Sequence, residues 1–220
     1  KILWKNLSLP SVSLILKSTM SPENIYILEE WEKKMIAQMG ISEFELYKKA
    51  LFENGYRLHS CIKSFLEGQM NVNISPSIEG YWNSVQHVLE EIEDTIALEL
   101  PVQNTNLNYK GILDGVFVYK KKLCVVEWKT SKRLKSSLDK TFDNPLQLVA
   151  YLAAFNQQLF HPDFVKYKQK IEKINLQTAF IENCLLVITY EDGTKADVHH
   201  MNREICNKYW EDWLQRLHKY

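Results

Sequence analysis

A chain of 220 residues, 45% hydrophobic and 12% aromatic, can bury one sizeable core and does not have the composition of a disordered segment. Its 27 basic residues are matched by 27 acidic ones, so the net charge is zero; it is no uniformly basic nucleic-acid module, and any grip on a polyanion must come from a local groove. Cys61, Cys124, Cys184 and Cys206 are widely spaced with no CxxC pair, which argues against a disulfide framework and against zinc-site spacing, and no apolar run is long enough to cross a membrane.

The first twenty residues carry little pattern beyond Pro10 and an apolar stretch over 12–16. Ser21-Pro22-Glu23 then supplies a capping oxygen, a proline suited to the first helical position and an acid in the first turn. Ile25, Leu28, Trp31, Met35 and Met39 recur every three or four residues, and Gly40 should end this helix. Ser42-Glu43-Phe44-Glu45 has the form of a capping box and predicts a second helix. A third is expected over about 55–66, carrying His59; a lone histidine on a helix is by itself most simply structural. Residues 68–76 are turn-rich, and a fourth helix, with His87 on its face, is expected from about 78 to 94. These helices either form a roof over a site or simply pack on a sheet.

Residues 95–103 read as the first core strand, in which Glu99 either joins an acidic cluster or is solvated. Two further runs, Ile112-Leu113-Asp114-Gly115-Val116-Phe117-Val118-Tyr119 and Leu123-Cys124-Val125-Val126-Glu127-Trp128-Lys129, read as a hairpin. Alternation puts Asp114 on one face with Ile112, Val116 and Val118, and Glu127 on one face with Val125 and Lys129. If Lys120-Lys121 form a two-residue turn, Tyr119 pairs with Lys122 and Asp114 lies opposite Glu127; neither turn residue is Gly or Asn, so a longer loop stays open. Like charges directly opposite are destabilising, so an acidic pair at the end of apolar strands calls for a cation. Hard cations such as magnesium take carboxylate oxygens and can activate water against a phosphodiester. Lys129, two residues past Glu127, can assist as a point charge. The competing reading is a surface hairpin with solvated charges.

Lys129, Lys132, Arg133, Lys135 and Lys140 follow as a basic segment, either a solvated face or a phosphate contact. Asn144-Pro145 caps and starts a helix with Gln147 and Tyr151 four apart on one face. His161-Pro162 breaks it, and a lysine-rich helix or loop runs to about 173. Residues 184–190 form a buried strand, 191–194 turn it back toward 196–200, and a final helix from about 202 carries Tyr209, Trp210, Trp213 and Leu217 at core spacings.

Asp114…Glu127-Trp128-Lys129-Thr130 followed by Gln147-Leu148-Val149-Ala150-Tyr151 resembles the PD-(D/E)XK nucleases, in particular their RecB-type branch, with its acid-x-Lys-Thr and its QxxxY helix. YWNSVQHVLE, VVEWKTS and TFDNPLQLVAY are more closely similar to a mitochondrial group of single-strand DNA exonucleases, over about 10–217; Glu127 stands where that group is expected to have Asp. The resemblance implies an α/β fold: a restriction-endonuclease-like core with a central mixed sheet flanked by helices and an N-terminal helical extension. It is read as a single domain over 1–220, mainly helical to about 94 and nuclease core beyond. It implies Mg²⁺ or Mn²⁺ held by His59, in its Gly55-x-x-x-His59 context, with Asp114, Glu127 and the Trp128 carbonyl. Asp114, Glu127 and Lys129 would be catalytic, and Thr130, Ser131, Lys132, Gln147 and Tyr151 would contact substrate. No iron–sulfur cluster is expected, because Cys124 sits inside a strand and only two cysteines follow it. The implied partner is single-stranded DNA with free ends, flaps included, taken by a monomer in mitochondria without a membrane. The chain starts at Lys1, so it is expected to be a trimmed piece with any transit peptide out of view. A structure-selective endonuclease with the same site, a binding module that lost its chemistry, and a scaffold with a chance motif are the alternatives.

Overall fold

The computed structural model describes residues 8–174 and 180–220. Four helices come first: α1 (Val12–Ser18), α2 (Pro22–Met39), α3 (Ile41–Leu66) and α4 (Glu79–Leu89). A hairpin pair of strands and a third follow, β1 (Ile92–Asn104), β2 (Tyr109–Tyr119) and β3 (Lys122–Ser131). Then come α5 (Asn144–Gln158), α6 (Val165–Lys173), β4 (Asn183–Tyr190), β5 (Asp197–Met201) and α7 (Arg203–Lys219). The five strands form one mixed sheet in the order β1-β2-β3-β4-β5, antiparallel except for the parallel pair β3–β4. That parallel step needs a crossover, and α5 and α6 lie between its two strands in the chain. Among the described residues no helix is long and apolar enough to cross a membrane.

Alternate residues of the central strands feed two cores. Val116 and Val118 of β2, Val125 of β3 and Leu186 and Ile188 of β4 pack with α1, α5, α6 and α7. Phe117, Tyr119, Cys124, Val126, Trp128, Leu185 and Val187 pack with α3 and α4 on the opposite face. All four cysteines are buried and unpaired. Arg216 of α7 ties the amino end in: its Nε donates to Thr19 Oγ1 at 2.7 Å, and its two Nη groups donate to the Asp143 carboxylate at 3.0 and 2.9 Å.

Several expectations shift. The second and third predicted helices are one, α3, since nothing in 46–54 breaks it; Gly40, at φ 84°, both ends α2 and precedes α3, so the Ser42 capping box is not used. The fourth helix stops at Leu89 instead of reaching Asp94, because Ile92 already pairs with Tyr119 in the sheet. Asn144 is the first helical residue of α5, preceded by Asp143, whose side chain makes no capping bond. The Lys120-Lys121 turn forms as the shortest option: Tyr119 faces Lys122, and both turn residues have positive φ, 48° and 62°. That is the backbone of a two-residue primed turn, held by Lys121 N–H on Glu93 (2.9 Å) and by a Lys120–Glu91 ion pair (2.9 Å).

Candidate active site

At one level of the sheet, β1 and β2 both break alternation. Leu98 packs on the α3/α4 core and Leu100 on the opposite core, although residues two apart on a regular strand share a face. On β2, Leu113 packs with Val116 and Val118, while Ile112 is 55% exposed. The expected common face of Ile112, Asp114, Val116 and Val118 is therefore broken: Leu113, and not Ile112, shares the face of Val116 and Val118. The residues at the two reversals are Glu99, at a left-handed φ of 43°, and Asp114. Gly115 follows Asp114 because the Phe117 ring folds over it; a Cβ there would lie 2.1 Å from Phe117 Cζ.

The β2–β3 register is the predicted one, yet its recorded pairs end at Gly115–Val126, one short of Asp114–Glu127. Past that point the Asp114 carboxylate replaces the ladder: Oδ2 accepts the Trp128 N–H at 2.8 Å. Asp114 Oδ1 lies 3.3 Å from His59 Nδ1 of α3, and Glu99 Oε1 lies 3.7 Å from the same nitrogen. His59 Nε2 meets the Trp128 carbonyl at 3.0 Å. Burial pulls the imidazole pKa down, but hydrogen bonding and charge from Asp114, with Glu99 and Glu127, outweigh it and push it up to about 10.

Glu127 is 2% exposed. Its Oε1 accepts from Lys129 Nζ at 2.6 Å and from Gln147 Nε2 at 2.8 Å, whereas its Oε2 is buried with no partner. Burial first, then the charge of Asp114, push its pKa up to about 7, against the pull of Lys129 and His59. The Lys129 ammonium is held above its ordinary range: burial opposes the charge, and Glu127 and Asp114 prevail. Gln147 also donates to the Tyr151 hydroxyl at 3.0 Å. The Tyr151 ring fills space that only glycine leaves at 111, where a Cβ would be 2.3 Å from Tyr151 Cε1.

His59, Asp114, Glu127, the Trp128 backbone, Lys129, Gln147 and Tyr151 thus converge, from α3, β2, β3 and α5. Glu99, left open by the sequence, converges with them. Ser131 and Lys132 are engaged elsewhere: Ser131 Oγ closes a turn on Arg133, and Lys132 pairs with Glu191 at 2.9 Å and lies over the Tyr47 ring. Thr130 Oγ1 lies 4.0 Å from where a Cβ at Gly55 of α3 would stand. His87 bonds Ser84 O within α4 and is not part of the donor cluster. A cleft of about 310 Å³ lined by Leu152, Asn156, Arg203 and Trp210 lies on the side of α5 opposite Gln147 and Tyr151, and holds none of the site's acids.

A divalent cation fits this donor set. One nitrogen of His59 and one carboxylate oxygen each from Glu99 and Asp114 lie within 4.8 Å of one another, and the orphaned Glu127 Oε2 is a buried acceptor without a donor. Three carboxylates close together need such a charge, and hard cations take oxygen ligands.

Residues 28–219 match the family model of the PD-(D/E)XK nuclease superfamily. The chain belongs to that superfamily. It is similar to mitochondrial genome maintenance exonuclease 1 of Mus musculus, at 39% identity over 223 residues, covering 100% of this chain and 61% of that protein. The proteins of the same name from Homo sapiens and Xenopus tropicalis are 38% and 37% identical, over 96% and 98% of this chain and 58% of each relative. The chain spans about three fifths of the length of these relatives.

Proposed function

We propose that this chain is a metal-dependent nuclease that removes nucleotides from free ends of single-stranded DNA, flaps included, in the upkeep of mitochondrial DNA. The observation that carries the hydrolytic reading is the buried, unpartnered Glu127 oxygen beside Asp114, with the Lys129 ammonium 2.6 Å from the other oxygen. The preference for ends and the mitochondrial setting are supported by the names of relatives that are 37–39% identical.

His59, Asp114, Glu127 and the Trp128 carbonyl would hold Mg²⁺ or Mn²⁺. When bound, the cation supplies Lewis acidity toward a phosphoryl oxygen and a lowered pKa for water. Lys129 keeps a fixed positive charge where negative charge gathers on the phosphoryl group. Gln147 fixes Glu127 by a donated hydrogen bond and passes the constraint to Tyr151. Thr130, Ser131 and Lys132 would meet the strand as it leaves the site. The α2–α3 pair supports passage of a single strand: α2 buries no residue, and α3 exposes Phe52 and Tyr56 two turns and one turn before His59, where bases can stack.

End-labelled linear and circular single strands with Mg²⁺ or Mn²⁺ test this, with EDTA and Lys129→Ala as controls. Linear strand digested and circle spared is the expected outcome. Digestion of both makes the chain an endonuclease, and binding without cutting makes it a binding module.

A further inference from the structure

Glu99 lies outside the acid-x-Lys motif, on a different strand from both motif acids, yet its carboxylate faces the same histidine nitrogen as Asp114 does. We propose that Glu99 is a further ligand of the divalent cation, acting beside His59 and Asp114. The proposal rests on the metal-dependent reading above.

Three observations carry it. Glu99, His59 and Asp114 present one ligand atom each within a 4.8 Å cluster, a set that does not include Glu127. Glu127 has one oxygen already committed to Lys129 and Gln147, leaving only Oε2 to offer. A hard cation of this kind fills the rest of its shell with water, and the Glu99 carboxylate stands where it can replace one such water. Charge points the same way. With His59 neutral as a ligand, three carboxylates against one ammonium leave two negative charges, the charge of one divalent ion; without Glu99 one negative charge remains. The backbone turns Glu99 toward this place through its left-handed φ of 43°, a conformation uncommon for glutamate.

The test is calorimetric titration of the full chain with Mn²⁺ alone, without DNA. Glu99→Gln should weaken Mn²⁺ about tenfold or more, in the range found when a partner of a metal site is removed. Glu99→Gly, which also relieves the left-handed backbone, should show the same loss in a protein that unfolds at no lower temperature than wild type. Asp114→Asn is the control for the site itself. Wild-type affinity in Glu99→Gly, with binding lost in Asp114→Asn, overturns the role of Glu99 and leaves the site standing. Unchanged affinity in Asp114→Asn as well overturns the metal-dependent reading.

Discussion

Replacing Glu127 by glutamine should stabilise the metal-free protein at neutral pH while removing its response to metal. The carboxyl is 2% exposed, and its pKa is raised from 4.5 to about 7. Between those values the native chain holds a proton that the unfolded chain has lost, so stability falls as pH rises through the window. The shift corresponds to about 3 kcal/mol acting against folding above pH 7. Glutamine keeps the shape and carries no charge, and it can still accept from Lys129 through its amide oxygen. In EDTA at pH 8, Glu127→Gln should therefore be up to about 3 kcal/mol more stable in a urea titration, or unfold roughly 6–12 °C higher on heating. At pH 5 the difference should shrink to about 1 kcal/mol or less. Saturating Mn²⁺ should close most of that gap, since a cation at a hundred times its Kd stabilises wild type by about 3 kcal/mol and the variant far less. A variant no more stable than wild type at pH 8, or a difference that does not shrink at pH 5, would refute the idea that Glu127 is a strained anion awaiting a counter-charge.

His59, whose pKa is raised from 6.5 to about 10, contributes stability in EDTA that is complete below pH 6.5 and lost as pH rises toward 10; a cation must displace its proton, so Mn²⁺ calorimetry near pH 7.5 in buffers of different ionisation enthalpy should show close to one proton released per ion. Gly111→Ala should push the Tyr151 ring away, loosen Gln147 from Glu127 and lower the turnover of single-stranded DNA at least tenfold, while far-ultraviolet circular dichroism stays native. Lys120→Asn with Lys121→Gly relaxes two left-handed residues and should add about 1 kcal/mol in urea unfolding without altering nuclease rate. Arg216→Ala leaves the part-buried Asp143 carboxylate unpaired and should cost about 2–4 kcal/mol by the same measurement.

The hairpin, its register and its two-residue turn were legible because period-two hydrophobicity and a short polar break leave few alternatives. The QxxxY helix was legible because a glutamine four residues from a tyrosine on an apolar helix has no packing reason to be there. Glu99 was not. Its strand changes face at the glutamate itself, and a reading that assumes constant alternation carries the wrong phase across that point. The same slip sent Ile112 inward, where Leu113 belongs. The one signal for Glu99 was a lone acid in an apolar strand preceding the motif, and a solvated edge position explains that equally well. Helix boundaries failed for another reason: Ser42 and Glu45 satisfy a capping pattern, but Gly40 lets the chain turn directly into α3, so the pattern goes unused.

Arg216 reaches Thr19 across 197 positions of sequence, and its other arm holds Asp143, the residue before α5 begins. One guanidinium therefore moors three stretches that the chain visits near its start, its middle and its close, and the helix moored is the one that carries Gln147 and Tyr151. Shortening α7 by a single turn would thus be felt at Glu127, on the far side of α5, without touching any residue of the site. Joining α1 to α7 by a linker and reopening the chain within residues 68–73 would leave that mooring whole. The protein should tolerate such a permutation better than it tolerates losing its last helical turn.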